Sequence, residues 1–207
     1  MELVRCGWVG TNPLMIKYHD SEWGVPVHDE RKLYEYMVLD AFQAGLSWAG
    51  VLGKRRGLEH AFVGFDPLIV ANFTTNDIDR LMQDTSIIRN RQKIKAAITN
   101  AQAVLQLQES GTSLPELLWN FVGNETIINN FQHDDEIPGS TELSIRVSKS
   151  LRQRGFSFVG PTICYAFMQA AGLVDDHLTS CAFKGRGAES DARNDKAGDN
   201  NDIDPEG

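Results

Sequence analysis

"RQRGFSFVGPTICYAF", residues 152–167, decides how this chain is read. Two helical stretches meet there across a tight turn. Gly155 suits the left-handed residue that closes a helix. Gly160 and Pro161 suit the entry to the next one, because a proline at the first helical position gives up an N–H that would lack a partner anyway. From about Thr162 onward, the free N–H groups point out of the second helix with the positive end of its dipole, an arrangement that binds phosphate. Arg152 and Arg154 stand beside it. A helical hairpin with a basic flank is a grip for a nucleic-acid backbone, although many hairpins of this composition bind nothing.

The rest of the body reads the same way. Leu33, Tyr36, Met37, Ala41 and Ala44 recur at helical spacing over 31–48, and Ile87, Ile94, Ile98, Ala101 and Leu105 form one stripe over 87–108. Asp66 before Pro67 and Ser113 before Glu116 are helix-start signals. Shorter helices are expected over 76–83 and 142–154, and Ile163, Ala166, Phe167, Ala170 and Ala171 share a face over 161–172. The segment 125–131, "ETIINNF", is the best strand candidate. The expected class is all-α.

Composition sets the bounds. A chain of 207 residues and 42% apolar content can bury a real core in one unit, expected over 1–184. No apolar run reaches the roughly 18 residues of a membrane span, and the start lacks the pattern of a signal peptide, so a cytoplasmic protein is expected. Three basic and seven acidic side chains over 185–207 carry half of the net charge of −8. That stretch holds one isoleucine and no aromatic, too little to offset its ordering entropy, and is expected to be disordered. The mildly acidic body still gathers basic residues at 88–95 and 149–155, so a basic face is compatible with it.

Three cysteines, Cys6, Cys164 and Cys181, do not make a disulfide framework. Cys6 and His19 lie near one end, His177 and Cys181 near the other. His177 and Cys181 would share a face if their segment were helical. Two Cys and two His make a closed tetrahedral set for structural zinc, which would clamp the N-terminal arm to the end of the last helix and add to folding stability. Spacing alone leaves open the plainer reading of two core cysteines and two surface histidines. Cys164, inside "TICYAFMQAAG", reads as core.

Asp40 falls on the apolar stripe of the 31–48 segment. A charge there is costly unless it is paired or lines a cavity, so Asp40 is either a site residue or an acid at a kink or beside an unseen arginine. Trp8, Trp23 and Trp48, with Tyr18 and Tyr36, crowd the first quarter of the chain. Aromatics around one carboxylate make a slot for a flat cationic ligand, and plain core packing is the alternative, preferred for Trp23.

Taken together, "RCGW", "YHDSEWGVP", "QAGLSW", "GFSFVGPTICYAFMQAAGLVDDH" and the final Cys resemble the 3-methyladenine DNA glycosylase I family over roughly residues 4–181. The resemblance implies an all-α fold with a helix-hairpin-helix element and a zinc snap on Cys6, His19, His177 and Cys181. It implies removal of N3-methylated adenine from damaged double-stranded DNA by a monomer with no organic cofactor, the base being flipped out of the duplex. Trp8, Tyr18, Asp40 and Trp48 match the base pocket, and Arg152, Arg154, Gly160 and Thr162 fall to the DNA backbone. Two positions depart from the pattern: Asp40 stands where Glu is usual, and Met15 where Tyr is common at the pocket. A shifted lesion range, or a non-catalytic zinc-stabilised damage sensor, is the alternative these departures raise. Asp175 and Asp176 are expected to cap a turn or to orient His177. A zinc hydrolase is disfavoured because protein would fill all four ligand places.

Overall fold

A computed structural model describes residues 3–186; the expected acidic tail therefore lies outside the described residues from 187 onward. Helices make up most of the described chain and strand is confined to one short pair, as expected. Every helix but the last begins where a side chain can take up an N–H of the first turn. Asn12 accepts from Leu14 to open α1 (Pro13–Ser21), Asp29 accepts from Lys32 to open α2 (Glu30–Gln43), and Ser47 accepts from Gly50 to open α3 (Trp48–Ala61). Asp66 with Pro67 opens the short α4 (Pro67–Val70), and Thr74 with Asp77 opens α5 (Thr75–Gln83). Asn90 starts the long α6 (Arg91–Glu109), and the expected Ser113–Glu116 capping box starts α7 (Leu114–Trp119). Thr141 opens α8 (Glu142–Gln153), and Gly160 with Pro161 opens α9 (Pro161–Ala170). The strand expected near 125–131 is present as β1 (Ile127–Ile128), which pairs parallel with β2 (Val174–Asp175). No helix among the described residues is long and apolar enough to cross a membrane.

Helix α2 is the axis. It packs against α3, α6, α7 and α9, and Leu33, Tyr34, Val38, Leu39 and Phe42 have no exposed surface. Tyr34 carries its hydroxyl into this interior and donates to the Ala97 carbonyl of α6 at 2.9 Å.

Four sequence expectations are corrected. The helix expected over 31–48 is two helices. Gly45 takes φ +78°, a left-handed turn that glycine adopts without Cβ strain, and Ser47 restarts the chain as α3. Trp48 thus opens a new helix and does not extend α2. The helix expected from 87 starts at Arg91 because Asn90 caps it. The helix expected to reach 172 stops at Ala170, and Gly172 turns the chain at φ +70° where a Cβ would collide with the Val25 backbone. Lastly, His177 and Cys181 lie beyond β2 in irregular chain, so their spacing reflects no helical face. Helices α1 and α3 were not read from the sequence.

Two polar devices hold α1, α2 and α3 in register. Arg55 of α3 donates to Glu35 of α2 at 2.7 Å and to both oxygens of Glu22, just past α1, at 2.8 and 2.7 Å. Lys93 of α6 is buried, and its ammonium donates to the carbonyls of Phe42 at 2.8 Å and Ala44 at 2.6 Å. Those are end-of-helix carbonyls that α2 cannot satisfy itself, and burial holds the lysine below its usual pKa. Replacing Lys93 with Met keeps the aliphatic stem and orphans both acceptors. Urea denaturation of Lys93→Met should show a loss of about 1–3 kcal/mol, the scale of an unsatisfied buried polar group.

Candidate active site

The end of α2, the start of α3, α1 and α9 enclose a cavity of about 330 Å³, at the small end of the roughly 300–1,000 Å³ usual for small-ligand pockets. Trp8, Tyr18, Asp40 and Trp48, which the sequence singled out, all line it. The rings of Tyr18 and Trp48 meet edge to face with centroids 5.1 Å apart. Asp40 is 4% exposed, and its Oδ2 has no hydrogen-bond partner among the described residues. The indole N–H of Trp48 is likewise buried and unpartnered. Among the described residues no arginine pairs with Asp40, which tells against the reading of an acid beside an unseen arginine.

Burial pushes the Asp40 carboxyl well above the usual range for an aspartate. Tyr18 is raised too, first by burial and then by the adjacent Asp40 charge. The slot, walled by aromatic faces, biases both groups toward their neutral forms. A flat cation entering it would favour ionisation of Asp40, because an opposite charge at contact offsets desolvation.

Beside the cavity, ligand atoms of Cys6, His19 and Cys181 all lie within 4.8 Å of one another, and all three residues are buried. Such a group can hold a metal ion. The Nδ1 of His19 is 2.8 Å from Asp20, which the Arg5 guanidinium grips at 2.6–3.0 Å. His177 repeats the design, with Nδ1 2.8 Å from Asp175 and a buried Nε2 that has no partner. Its ring centroid is 4.9 Å from that of His19. In both histidines the carboxylate occupies Nδ1 and leaves Nε2 available as a ligand. A hydrogen bond from Cys6 draws Cys181 toward its thiolate and raises Cys6 in turn. Burial alone would lower His19, but its bonds to Cys181 and Asp20 outweigh this and raise it.

Asp175 therefore orients His177, as expected. Asp176 is fully engaged elsewhere, accepting from Asn129 at 2.6 Å, Tyr165 at 2.6 Å and Gln169 at 2.8 Å. Trp23 serves two roles: it stacks on His19, meets Trp8 edge to face, and also lines the cavity. Cys164 is buried core, its thiol donating to the Val159 carbonyl at 3.3 Å.

The hairpin forms between α8 and α9, with Gly155 at φ +86° and Gly160 at the N-cap with no side chain to bond the first N–H groups. Arg152 lies 3.6 Å from the Cβ position of Gly160, and Thr162 is exposed. Arg154 is exposed but folds back on its own helix, donating to Ser150 Oγ at 2.7 Å and to the Ser150 carbonyl at 3.1 Å. Met15 packs against the core and is not among the residues lining the cavity. Gln43, Asp134, Ile137, Ala166 and Gln169 do line it and were missed. The alternation of apolar and polar residues around them carries no sign that distant loops meet at one cavity.

An aromatic slot closed by one buried acid lies next to a Cys/His group that brings the N-terminal segment against the turns after β2, and such a slot can accept a flat cation. The sequence profile described as methyladenine glycosylase matches residues 8–184, and the chain belongs to that family. It is 50% identical over 177 residues to DNA-3-methyladenine glycosylase 1 of Escherichia coli (strain K12), covering 86% of this chain and 95% of that protein. It is 46% identical to DNA-3-methyladenine glycosylase of Haemophilus influenzae (strain ATCC 51907 / DSM 11121 / KW20 / Rd), over 87% and 97% of the two chains. Among solved structures, a 3-methyladenine DNA glycosylase I superposes with a TM-score of 0.85 at 49% identity, covering 86% of this chain and 98% of that one. The Staphylococcus aureus enzyme, solved for its recognition of 3-methyladenine, superposes with 0.84 at 35% identity, over 87% and 96%.

Two measurements follow. Because the folded Asp40 keeps its proton longer than the unfolded one, the unfolded chain ionises first as pH rises past about 3.9. The wild type then loses about 1.4 kcal/mol per pH unit until the folded group titrates. Asp40→Asn has no such loss. Chemical denaturation should find the variant near wild type at pH 4 and increasingly more stable than wild type toward pH 7. Separately, Cys181→Ser should purify with its metal content lost and its melting temperature lowered; metal analysis that finds the ion retained would remove Cys181 from the site.

Proposed function

We propose that this protein is a monofunctional DNA glycosylase of base-excision repair. It hydrolyses the N-glycosidic bond of 3-methyladenine in alkylated double-stranded DNA, acting on a flipped nucleotide. The observation that carries the reading is the unpartnered Asp40 carboxyl buried beside Tyr18 and Trp48. A methylated adenine ring is a cation with an already weakened bond to its sugar, and it leaves as a neutral base. The enzyme therefore needs little acid assistance; it must hold the cation, shield it and admit water. Tyr18 and Trp48, which meet edge to face, offer one ring face and one ring edge to the base, Trp8 closes the side, and Asp40 accepts a charge-assisted hydrogen bond from its edge. Aspartate is one methylene shorter than glutamate, which draws the base inward or leaves a bridging water.

Leu46, 46% exposed in the turn between α2 and α3, is an apolar tip beside the slot. Such a wedge can fill the gap that an extruded base leaves in the stack. The α8–α9 turn acts as the helix-hairpin-helix element, gripping a phosphate through the N–H groups near Gly160 and Thr162, with Arg152 alongside. Arg154 would have to leave Ser150 to join it.

Zinc suits the Cys/His group. Cys6, His19 and Cys181 would hold it, with the orphaned Nε2 of His177 as the fourth ligand, and the closed set makes its part structural. It would fasten the start of the chain to the turns after β2. We read residues 1–184 as one unit acting as a monomer in the cytoplasm.

Purified protein should release free methylated base from alkylated duplex DNA without an added cofactor; no release, where a control enzyme works, would defeat the reading. Asp40→Asn should slow release about 10- to 100-fold, matching the about 1.5–3 kcal/mol of a hydrogen bond to a charged group. Asp40→Glu should be at least as active as wild type.

A further inference from the structure

Gln169, near the end of α9, lines the slot together with Asp40. Its amide nitrogen donates to Asp176 Oδ2 at 2.8 Å. The same oxygen accepts from the Tyr165 hydroxyl at 2.6 Å, and the other accepts from the Asn129 amide at 2.6 Å. Asp176 has no exposed surface, so its carboxylate depends on these donors. The Gln169 backbone is pinned as well, its carbonyl accepting from the Gly24 N–H at 2.9 Å.

These bonds decide which way the amide faces. A carboxylate oxygen and a glutamine carbonyl oxygen are both acceptors. Turning the amide over would set one against the other at 2.8 Å, in an interior that screens such repulsion poorly. The nitrogen is therefore committed to Asp176, and Oε1 is the end left for the slot. Among the described residues nothing donates to that oxygen. The slot thus holds a fixed, uncharged acceptor on α9 in addition to the Asp40 carboxyl on α2.

Two acceptors make the slot selective about the edge of a base. When N9 of adenine bears the sugar and N3 the methyl group, the only N–H groups left on the ring are the two of the exocyclic amine. One amine with two hydrogens matches two acceptors. A 3-methylguanine ring carries a carbonyl oxygen at that position, which neither acceptor can bond. Because an unpaired buried polar group is costly, a site built around a substrate N–H discriminates strongly against a ring that lacks it.

Resting on the glycosylase reading above, we propose that Gln169 is a specificity-determining residue of the slot: its Oε1, aimed by Asp176, accepts one hydrogen of the adenine amine while Asp40 accepts the other. Selection is thereby divided. Asp40 favours positive charge, which several alkylated purines share. Gln169 is uncharged and favours the amine. Asp176 is the positioning residue, acting only through the amide that it orients.

The test pairs a protein change with a ligand change. Calorimetric titration compares free 3-methyladenine with 3-methylpurine, the same ring without the amine, on wild type, Gln169→Met and Gln169→Glu. Wild type should prefer 3-methyladenine. Gln169→Met should cut that preference about 10-fold, the scale of one hydrogen bond, with 3-methylpurine affinity unchanged within twofold. Gln169→Glu keeps an acceptor at the same reach and should retain the preference within about threefold. In alkylated duplex DNA, the ratio of 3-methyladenine to 3-methylguanine release should fall about 10-fold in Gln169→Met. Equal affinity of wild type for the two free bases would overturn the proposal without any variant. So would a Gln169→Met protein that weakens both ligands alike or leaves both ratios unchanged. Wild type that released no base would defeat the glycosylase reading itself, whereas active wild type with unaltered selectivity in Gln169→Met removes only Gln169.

Discussion

An ionisable group without a partner sits in the interior at the end of the central helix, and the surrounding architecture is arranged to tolerate it. Desolvation of Asp40 works against the fold at neutral pH. The same desolvation makes the site select for positive charge, since a cation entering a low-dielectric slot interacts with the acid far more strongly than it would in water. Under the proposed role of Asp40, affinity for a damaged base and cost to the fold are one quantity viewed from two states. The packing of α2 on four other helices supplies the margin.

The three helices that bring the slot together would be loosely related without polar ties. Arg55 binds the helix of Trp48 to acids at the end of the Tyr18 helix and on the Asp40 helix. Lys93 fixes the last carbonyls of α2, just before the turn that leads into Trp48. The two ends of the chain are bound separately through Cys6, His19, Cys181 and the neighbouring His177. Trp23 and Trp8 connect that cluster to the slot through ring contacts.

Much of this was legible from the sequence. The helix starts were visible because capping is local: Asp66 and Ser113 accept from N–H groups two and three residues on, and Pro161 follows Gly160 at the start of α9. Asp40 stood out because one charged residue broke an apolar periodicity. Periodicity could not show where α2 ended, because Ala44 continued the stripe and only Gly45 broke the helix. Residues of the 129–141 loop were invisible as site residues. Asp134 reaches the slot through contacts with the opposite end of the chain, which no local pattern encodes. Nor could spacing place His177 and Cys181, whose approach depends on the turn at Gly172 and the short β1–β2 pairing.

The distribution of indoles has an optical consequence. Of the chain's four tryptophans, Trp8, Trp23 and Trp48 border the one cavity, while Trp119 is buried apart from it with its N–H donated to the Val27 carbonyl. Intrinsic fluorescence is therefore concentrated at the slot, with one sequestered emitter as an internal reference. Occupancy of the slot by a flat ring is written into the protein's own emission, without any label.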